Sequence, residues 1–291
     1  MKRTISLIFA LILCLSLCAC GSKQNDQPSA TEPSEISFGQ KITVGEYSLE
    51  ITAADFIGRA YVEINGDNHF ASSGNSLCVV RATLYNDSRK ECRPDIVTFA
   101  LNYDNGYDIH TGKGEWTYAP NAHYIPDLDP KESLSFLTLI EMPDFQANDA
   151  ESPITLEVKL AGQSFVMDID PDQLSLDGAI LLFAEEKGQQ YFKERMSEYP
   201  VLSHDDIIAA FTDKQLNVSI FYQQGLSGGD WYLFAADGKI KQPITEYNTD
   251  MVWEVKDNTF IMNGKYVCEV KRVNDTTYLL LKDGVPFMIA Y

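Results

Sequence analysis

Histidine is scarce in this chain: four in 291 residues, at positions 69, 110, 123 and 204. None belongs to an H-E-x-x-H pair, and no P-loop or strand-following Rossmann glycine set is present. Cysteine is also thin. Of six, Cys14, Cys18 and Cys20 fall in the first twenty residues. The remaining Cys78, Cys92 and Cys268 are odd in number and form no C-x-x-C pair, which excludes zinc-ribbon and thioredoxin-type sites. Positive charge is the third shortage. Twenty-three Lys and Arg face 42 Asp and Glu, for a net charge of −19. That balance excludes nucleic acid as a partner, and an anionic bilayer held through a basic face. The acidic residues are scattered, so they localise no cation site. Gly225-Leu226-Ser227-Gly228-Gly229 matches G-x-S-x-G literally. The nucleophile elbow needs a following helix and a downstream histidine. Here a strand-like run, Asp230 to Ala236, follows, and all four histidines precede Ser227. The residues therefore predict no catalytic group, no cofactor and no enzyme. An extracellular hydrolase built on a carboxylate pair is a remote alternative, because 42 acidic residues always allow some pair.

Long apolar runs are missing as well, with one partial exception. Ile5 to Leu17 is apolar for about 13 residues, short of the ~20 that a membrane-spanning helix needs. Lys2 and Arg3 precede it and Leu17-Cys18-Ala19-Cys20 closes it, which is the anatomy of a secretory signal. Gly21 to Glu35 then carries Ser, Gln, Asn, Asp, Pro and Glu with almost nothing apolar. Such a segment cannot bury enough surface to offset chain entropy and reads as a flexible tether. Leu17-Cys18-Ala19-Cys20 resembles the lipobox of bacterial lipoproteins. The resemblance implies cleavage before Cys20 and lipidation there, with a diacylglyceryl thioether of the palmitate type. Residues 1–19 are then a lipoprotein signal peptide, and 20–35 the lipidated cysteine and its tether. The expected location is the cell membrane, lipid-anchored, on the extracellular face.

From Ile36 the chain alternates with a period of two. Cys78, Val80, Ala82 and Leu84 go inward while Arg81 and Thr83 go outward, the mark of a half-buried strand. Lys41–Val44, Tyr47–Ile57, Asp95–Tyr103, Glu132–Met142, Ile154–Leu160 and Ser164–Ile169 behave alike, separated by Asn-Gly, Asn-Asp-Ser and Pro-containing turns. No amphipathic helix interrupts them. Residues 36–170 are therefore expected to form a β-sandwich. An exported protein allows a Cys78–Cys92 disulfide. A hairpin turning at Asn86-Asp87 would set Cys78 opposite a residue well past Cys92, which favours buried thiols instead. The runs Phe38 to Gly45 and Val79 to Ser88, the stretch ending in Asn105-Gly106-Tyr107, and the Leu128-Asp129-Pro130 turn before Met142-Pro143 resemble immunoglobulin-like accessory domains of Gram-positive lipoproteins. What that implies is a fold and a binding or spacer role.

Between Tyr103 and Pro126 the aromatics Tyr103, Tyr107, Trp116, Tyr118 and Tyr124 are interleaved with Asp104, Asp108, His110, Glu115 and His123. Aromatic rings with polar handles on a loop suit sugar or peptide recognition. These five aromatics are the candidate ligand-binding residues; equally, strand residues are often aromatic, and some of the five could plug the sandwich. The acidic and histidine spacing fits no defined metal site.

Past Pro171 the pattern changes. Leu181, Ala184, Gly188, Tyr191, Phe192 and Met196 fall on one helical face, with Asp177 as cap and Pro200 as stop. Gly188 costs that helix roughly 1 kcal/mol, and Ala179 to Phe183 could instead be a strand. Ser203 then caps a second helix, with Asp205 and Asp206 in its first turn. Seven short strands follow, with Asp237-Gly238, Asn263-Gly264 and Asp283-Gly284 as hairpin dipeptides. The expectation for 171–291 is a smaller α+β domain ending in an antiparallel meander, either a curved sheet or an up-and-down barrel. Trp253 to Phe260 with Tyr278 to Leu281 is similar to lipocalin-like domains of exported lipoproteins. That implies, as an alternative, a carrier of a small apolar ligand. Against it, Trp231, Phe234, Trp253, Phe260, Tyr266 and Phe287 are available to fill the interior. The fold class expected is mainly β. The function expected is a membrane-anchored, non-catalytic binding or adhesion module for an extracellular polymer, peptide or envelope protein.

Overall fold

The computed structural model describes residues 33–58, 62–64, 67–104, 109–118, 126–143, 154–183, 185–221, 229–242 and 250–291. Strands come first: β1 (Ser34–Glu35), β2 (Lys41–Val44), β3 (Tyr47–Gly58), the small hairpin β4 (Val62–Ile64) and β5 (Asp67–His69), and β6 (Asn75–Asn86). They continue as β7 (Val97–Asp104), β8 (Ile109–Tyr118), β9 (Ser133–Pro143), β10 (Ile154–Leu160) and β11 (Gln163–Ile169). The order β1-β11-β10-β7-β8-β9-β6-β3-β2 makes two faces of a sandwich. The hinge between them is β8, which was expected to be loop. Its first half, Ile109 to Lys113, pairs with β7, and its second half, Gly114 to Tyr118, pairs with β9. Gly112 and Gly114 flank the crossover, where a strand bends between sheets. Leu49, Ile51, Cys78, Val80 and Leu84 meet Leu101, Leu156, Val158 and Met167 in the first core, as the two-residue period requires.

Strand β6 departs from simple alternation. Its burial runs unbroken from Ser76 to Val80 and alternates only afterwards. Leu77 and Val79, on the opposite face from Cys78 and Val80, are buried with Ile57 and Leu139 in a separate cluster. That cluster also takes Ala179, Phe183 and Phe192 from the helices, and Leu279, Leu281 and Ile289 from the C-terminal strands.

The expected first helix is two. Helix α1 (Leu176–Leu181) is capped by Ser175, whose hydroxyl accepts from Gly178 N; Asp177, the expected cap, sits in the first turn. Helix α2 (Glu186–Arg195) is separate from it, with Glu185 N donating to Leu182 O between the two. Gly188 makes this break workable, because a Cβ there would lie 2.1 Å from the Leu182 carbonyl oxygen. Helix α3 (His204–Phe211) begins at Ser203 with a complete capping box to Asp206, as its sequence indicates. No described helix is long and apolar enough to cross a membrane.

The last eight strands are β12 (Lys214–Ile220), β13 (Gly229–Phe234), β14 (Ile240–Lys241), β15 (Trp253–Lys256), β16 (Thr259–Met262), β17 (Tyr266–Arg272), β18 (Tyr278–Lys282) and β19 (Val285–Ala290). Each pairs antiparallel with its neighbour, and β19 returns to β12. A bridge between Lys239 and Val252, with Ile240 N donating to Met251 O and Trp253 N to Gly238 O, joins β14 to β15. The meander is thus closed into an up-and-down barrel. Asn263-Gly264 and Asp283-Gly284 have positive φ at both residues, the conformation their hairpins were expected to need.

Candidate functional site

Of the residues singled out in the sequence, Cys20, Tyr107 and Tyr124 lie outside the described residues, as do Asp108, His123 and Ser227. Tyr103 is only 1 % exposed and belongs to the sandwich core, not to a recognition surface. Its strand alternates with Leu101 and Phe99, so the same period that marks the strand places the ring inside. Trp116 and Tyr118 sit on β8, opposite Leu139 and Leu137 of β9. Tyr103 and His110 are cross-strand partners on β7 and β8. The structure therefore brings Trp116 and Tyr118 onto one strand and separates Tyr103 from them. No group of three His, Cys, Asp or Glu among the described residues is placed to hold a metal ion. Cys78, Cys92 and Cys268 are free and buried. Burial pushes the Cys78 thiol far up and the Cys268 thiol up to about 12.

Two polar constellations emerge that sequence reasoning missed. The first is built on Asp55, 1 % exposed in β3. One oxygen accepts from Ser175 N at 2.7 Å; the other accepts from Ser175 Oγ at 2.7 Å and Arg81 Nη1 at 2.9 Å. Arg81 Nε also reaches Asp177, at 3.2 Å. Gly178 leaves room for this carboxylate, since a Cβ there would stand 2.4 Å from it. Both oxygens are engaged within the protein, so the constellation has no free valence for a ligand. It fixes the start of α1 against the outer face of the sandwich. The only signal in the sequence was an Asp within the apolar run Ala53 to Ile57.

The second lies in the barrel. Helix α3 inserts Phe211 at one end, where it packs on Phe234, Trp253, Phe260 and Tyr278 with ring centroids 4.9–6.5 Å apart. This helix residue is the plug the sequence reading lacked. Trp231, one of the expected fillers, is instead 37 % exposed. The interior keeps a cavity of about 20 Å³, bordered by Tyr232, Met251, Met262 and Met288, room for about one water. The interior is nearly filled by its own side chains, the outcome the sequence favoured over a cavity for a small apolar ligand. The alternation of strands puts the 263–264 and 283–284 turns at the end opposite α3. There Tyr266 and Phe287 stack, 5.2 Å between centroids and 23° between planes. Lys265 and Lys282 lie against these rings, with Nζ 5.0 and 5.7 Å from the Tyr266 centroid.

No protein-family model matches the chain, and neither does any curated protein. Among the solved structures similar to it, two match about half of the chain. An uncharacterized beta-sandwich protein from Clostridium difficile 630 is 20 % identical with a TM-score of 0.39, over 48 % of this chain and 96 % of that one. A conserved hypothetical protein from Bacillus anthracis is 9 % identical with a TM-score of 0.32, over 46 % and 94 %. The strand topology itself establishes a mainly β protein with antiparallel sheets, a sandwich followed by a closed meander.

Proposed function

We propose that this chain is a lipid-anchored protein of the extracellular face of a cell membrane, and that its folded part is a non-catalytic binding module. The observation that carries the reading is Leu17-Cys18-Ala19-Cys20 at the close of an apolar run. A segment almost without apolar side chains follows, and the compact unit begins at Ser34. The thioether on Cys20 supplies the membrane as first partner: two acyl chains hold stably where one holds marginally. The second partner is an extracellular polymer, a peptide or an envelope protein. Trp116 and Tyr118, adjacent in alternation on a strand shared by both sheets, are retained as contacts for it.

The test is fractionation of cells expressing the full chain and its Cys20→Ala variant, with metabolic palmitate labelling. The parent chain is expected in the membrane fraction with label. The variant is expected unlabelled, either released or retained unprocessed. A variant that is cleaved and still membrane-bound overturns the anchor.

A further inference from the structure

We propose that Asn263-Gly264 is a site of spontaneous covalent modification: conversion of Asn263 to isoaspartate, held in check by the closed barrel and, once made, loosening the join between β14 and β15. Among the described residues Asn263 is the one asparagine followed by glycine. Glycine has no side chain to shield its nitrogen, and a Cβ built at Gly264 would meet nothing within 4 Å. The pair is exposed in the β16–β17 turn, with φ of 56° and 61°. In the reaction Gly264 N gives up its proton and bonds to Asn263 Cγ, the Cγ–Nδ2 bond breaks, and Nδ2 leaves as ammonia. Water then opens the succinimide ring. Addition at Cγ gives aspartate. Addition at the main-chain carbonyl carbon gives isoaspartate, in which the chain runs through the former side chain and is one atom longer.

Two features tie this chemistry to the barrel. The first is what the carboxamide does. Asn263 N donates to Val252 O at 2.8 Å, and Val252 N donates to Asn263 Oδ1 at 2.9 Å. The pair extends the β15–β16 ladder by one step beyond Trp253 and Met262, with a side-chain oxygen where a ladder uses the main-chain one. A carboxamide so held reaches across to the neighbouring strand, and the ring closes only after it turns back onto its own chain. The second feature is the position of Val252. On its other side it bridges Lys239; next to it, Met251 O accepts from Ile240 N and Trp253 N donates to Gly238 O. Strand β14 has only two residues, so these few bonds join it to β15. An extra chain atom at 263 disrupts the turn closed by Lys265 N and Met262 O, at 3.1 Å, and takes the acceptor away from Val252 N. The modification therefore reaches the join through Val252.

The experiment ages residues 34–291, the compact unit, in mildly alkaline buffer with and without urea. Isoaspartate at 263 is counted by peptide mapping with electron-transfer fragmentation. Its formation is expected at least about tenfold slower in the folded chain, because local opening must first release the side chain. Amide hydrogen exchange on the refolded isoaspartate form is expected to show Trp253 and Ile240 losing at least about tenfold in protection. Cys92 and Leu128, whose backbones pair with each other in the sandwich, should keep theirs and so report an intact fold. Asn263→Asp, the other product, retains an oxygen for Val252 N and should leave Trp253 and Ile240 protected. Equal rates with and without urea, or no isoaspartate at 263 in urea, overturn the proposal. So do unchanged exchange in the isoaspartate form, loss of protection that extends to Cys92 and Leu128, or the same loss at Trp253 and Ile240 in Asn263→Asp.

Discussion

Replacing Asp55 by asparagine separates a buried, fully engaged carboxylate from an exposed one that shares the same arginine. Asp55 is 1 % exposed and accepts three hydrogen bonds, one from the guanidinium of Arg81, whose side chain is itself only 19 % exposed. Asparagine keeps the volume and one acceptor for Ser175 N. It brings donors to face Arg81 and loses the charge-assisted bonds, each contributing roughly 1.5–3 kcal/mol. Removing one member of a buried pair typically costs about 3–5 kcal/mol. Arg81 keeps Asp177 and some water, so the lower end, about 3 kcal/mol, is expected. Asp177 is 60 % exposed and 3.2 Å from the same arginine, and its replacement by asparagine should cost less than about 1 kcal/mol. Urea unfolding of residues 34–291 followed by circular dichroism measures both, through a shift in midpoint at unchanged slope. A double-mutant cycle of Asp55→Asn with Arg81→Met should show coupling above about 1 kcal/mol. Equal costs for the two aspartates, or an additive cycle, would refute the assignment of Asp55 as the fastening point of α1.

Phe211→Ala should destabilise by about 3–5 kcal/mol and hollow out the barrel. The enlarged cavity is expected to take up benzene or xenon, seen as a rise in melting temperature, which the parent barrel should not show. Cys268, its thiol pushed up to about 12 by burial, the larger effect against the nearby Lys282, should resist thiol reagents at pH 8 until denaturant is added; reaction in the native state would show that the strand opens. Asp206 is held below the usual carboxylate range, first by the Ser203 hydroxyl and then by the Ser203 backbone N–H. A depressed carboxyl stabilises the fold above its unfolded pKa, and that contribution is lost as pH falls through the folded value. Acid unfolding of Asp206→Asn should therefore depend less steeply on pH below the ordinary carboxylate range, and an unchanged profile would count against the capping box.

Strand periods and turn dipeptides were legible in the sequence because they are local. Cys78, Val80, Ala82 and Leu84 declare an inward face without reference to anything distant, and Asn263-Gly264 declares its turn by its own φ preference. What could not be read was long-range. Leu77 and Val79 looked like the outward positions of a half-exposed strand until helices and C-terminal strands covered them. The break between α1 and α2 depends on Gly188 meeting a carbonyl six residues earlier, a contact with no periodic trace. Phe211 reads as one more apolar residue on a helix face, and only closure of the meander makes it a plug. Tyr103 shows the opposite failure, where clustering with other aromatics outweighed the strand alternation that buries it.

The barrel closes by pairing its first strand with its last. Val218 lies opposite Ala290, and Asn217 exchanges two backbone hydrogen bonds with Tyr291, at 2.8 and 2.9 Å. A chain that emerges from its N-terminus can build the sandwich before the later residues follow, because that core needs nothing beyond Ile169. The barrel must wait for residue 291. Until then β12 and β13 carry an unpaired edge and a row of aromatics, the condition under which β-rich intermediates aggregate. Loss of the last two residues would prolong that interval indefinitely.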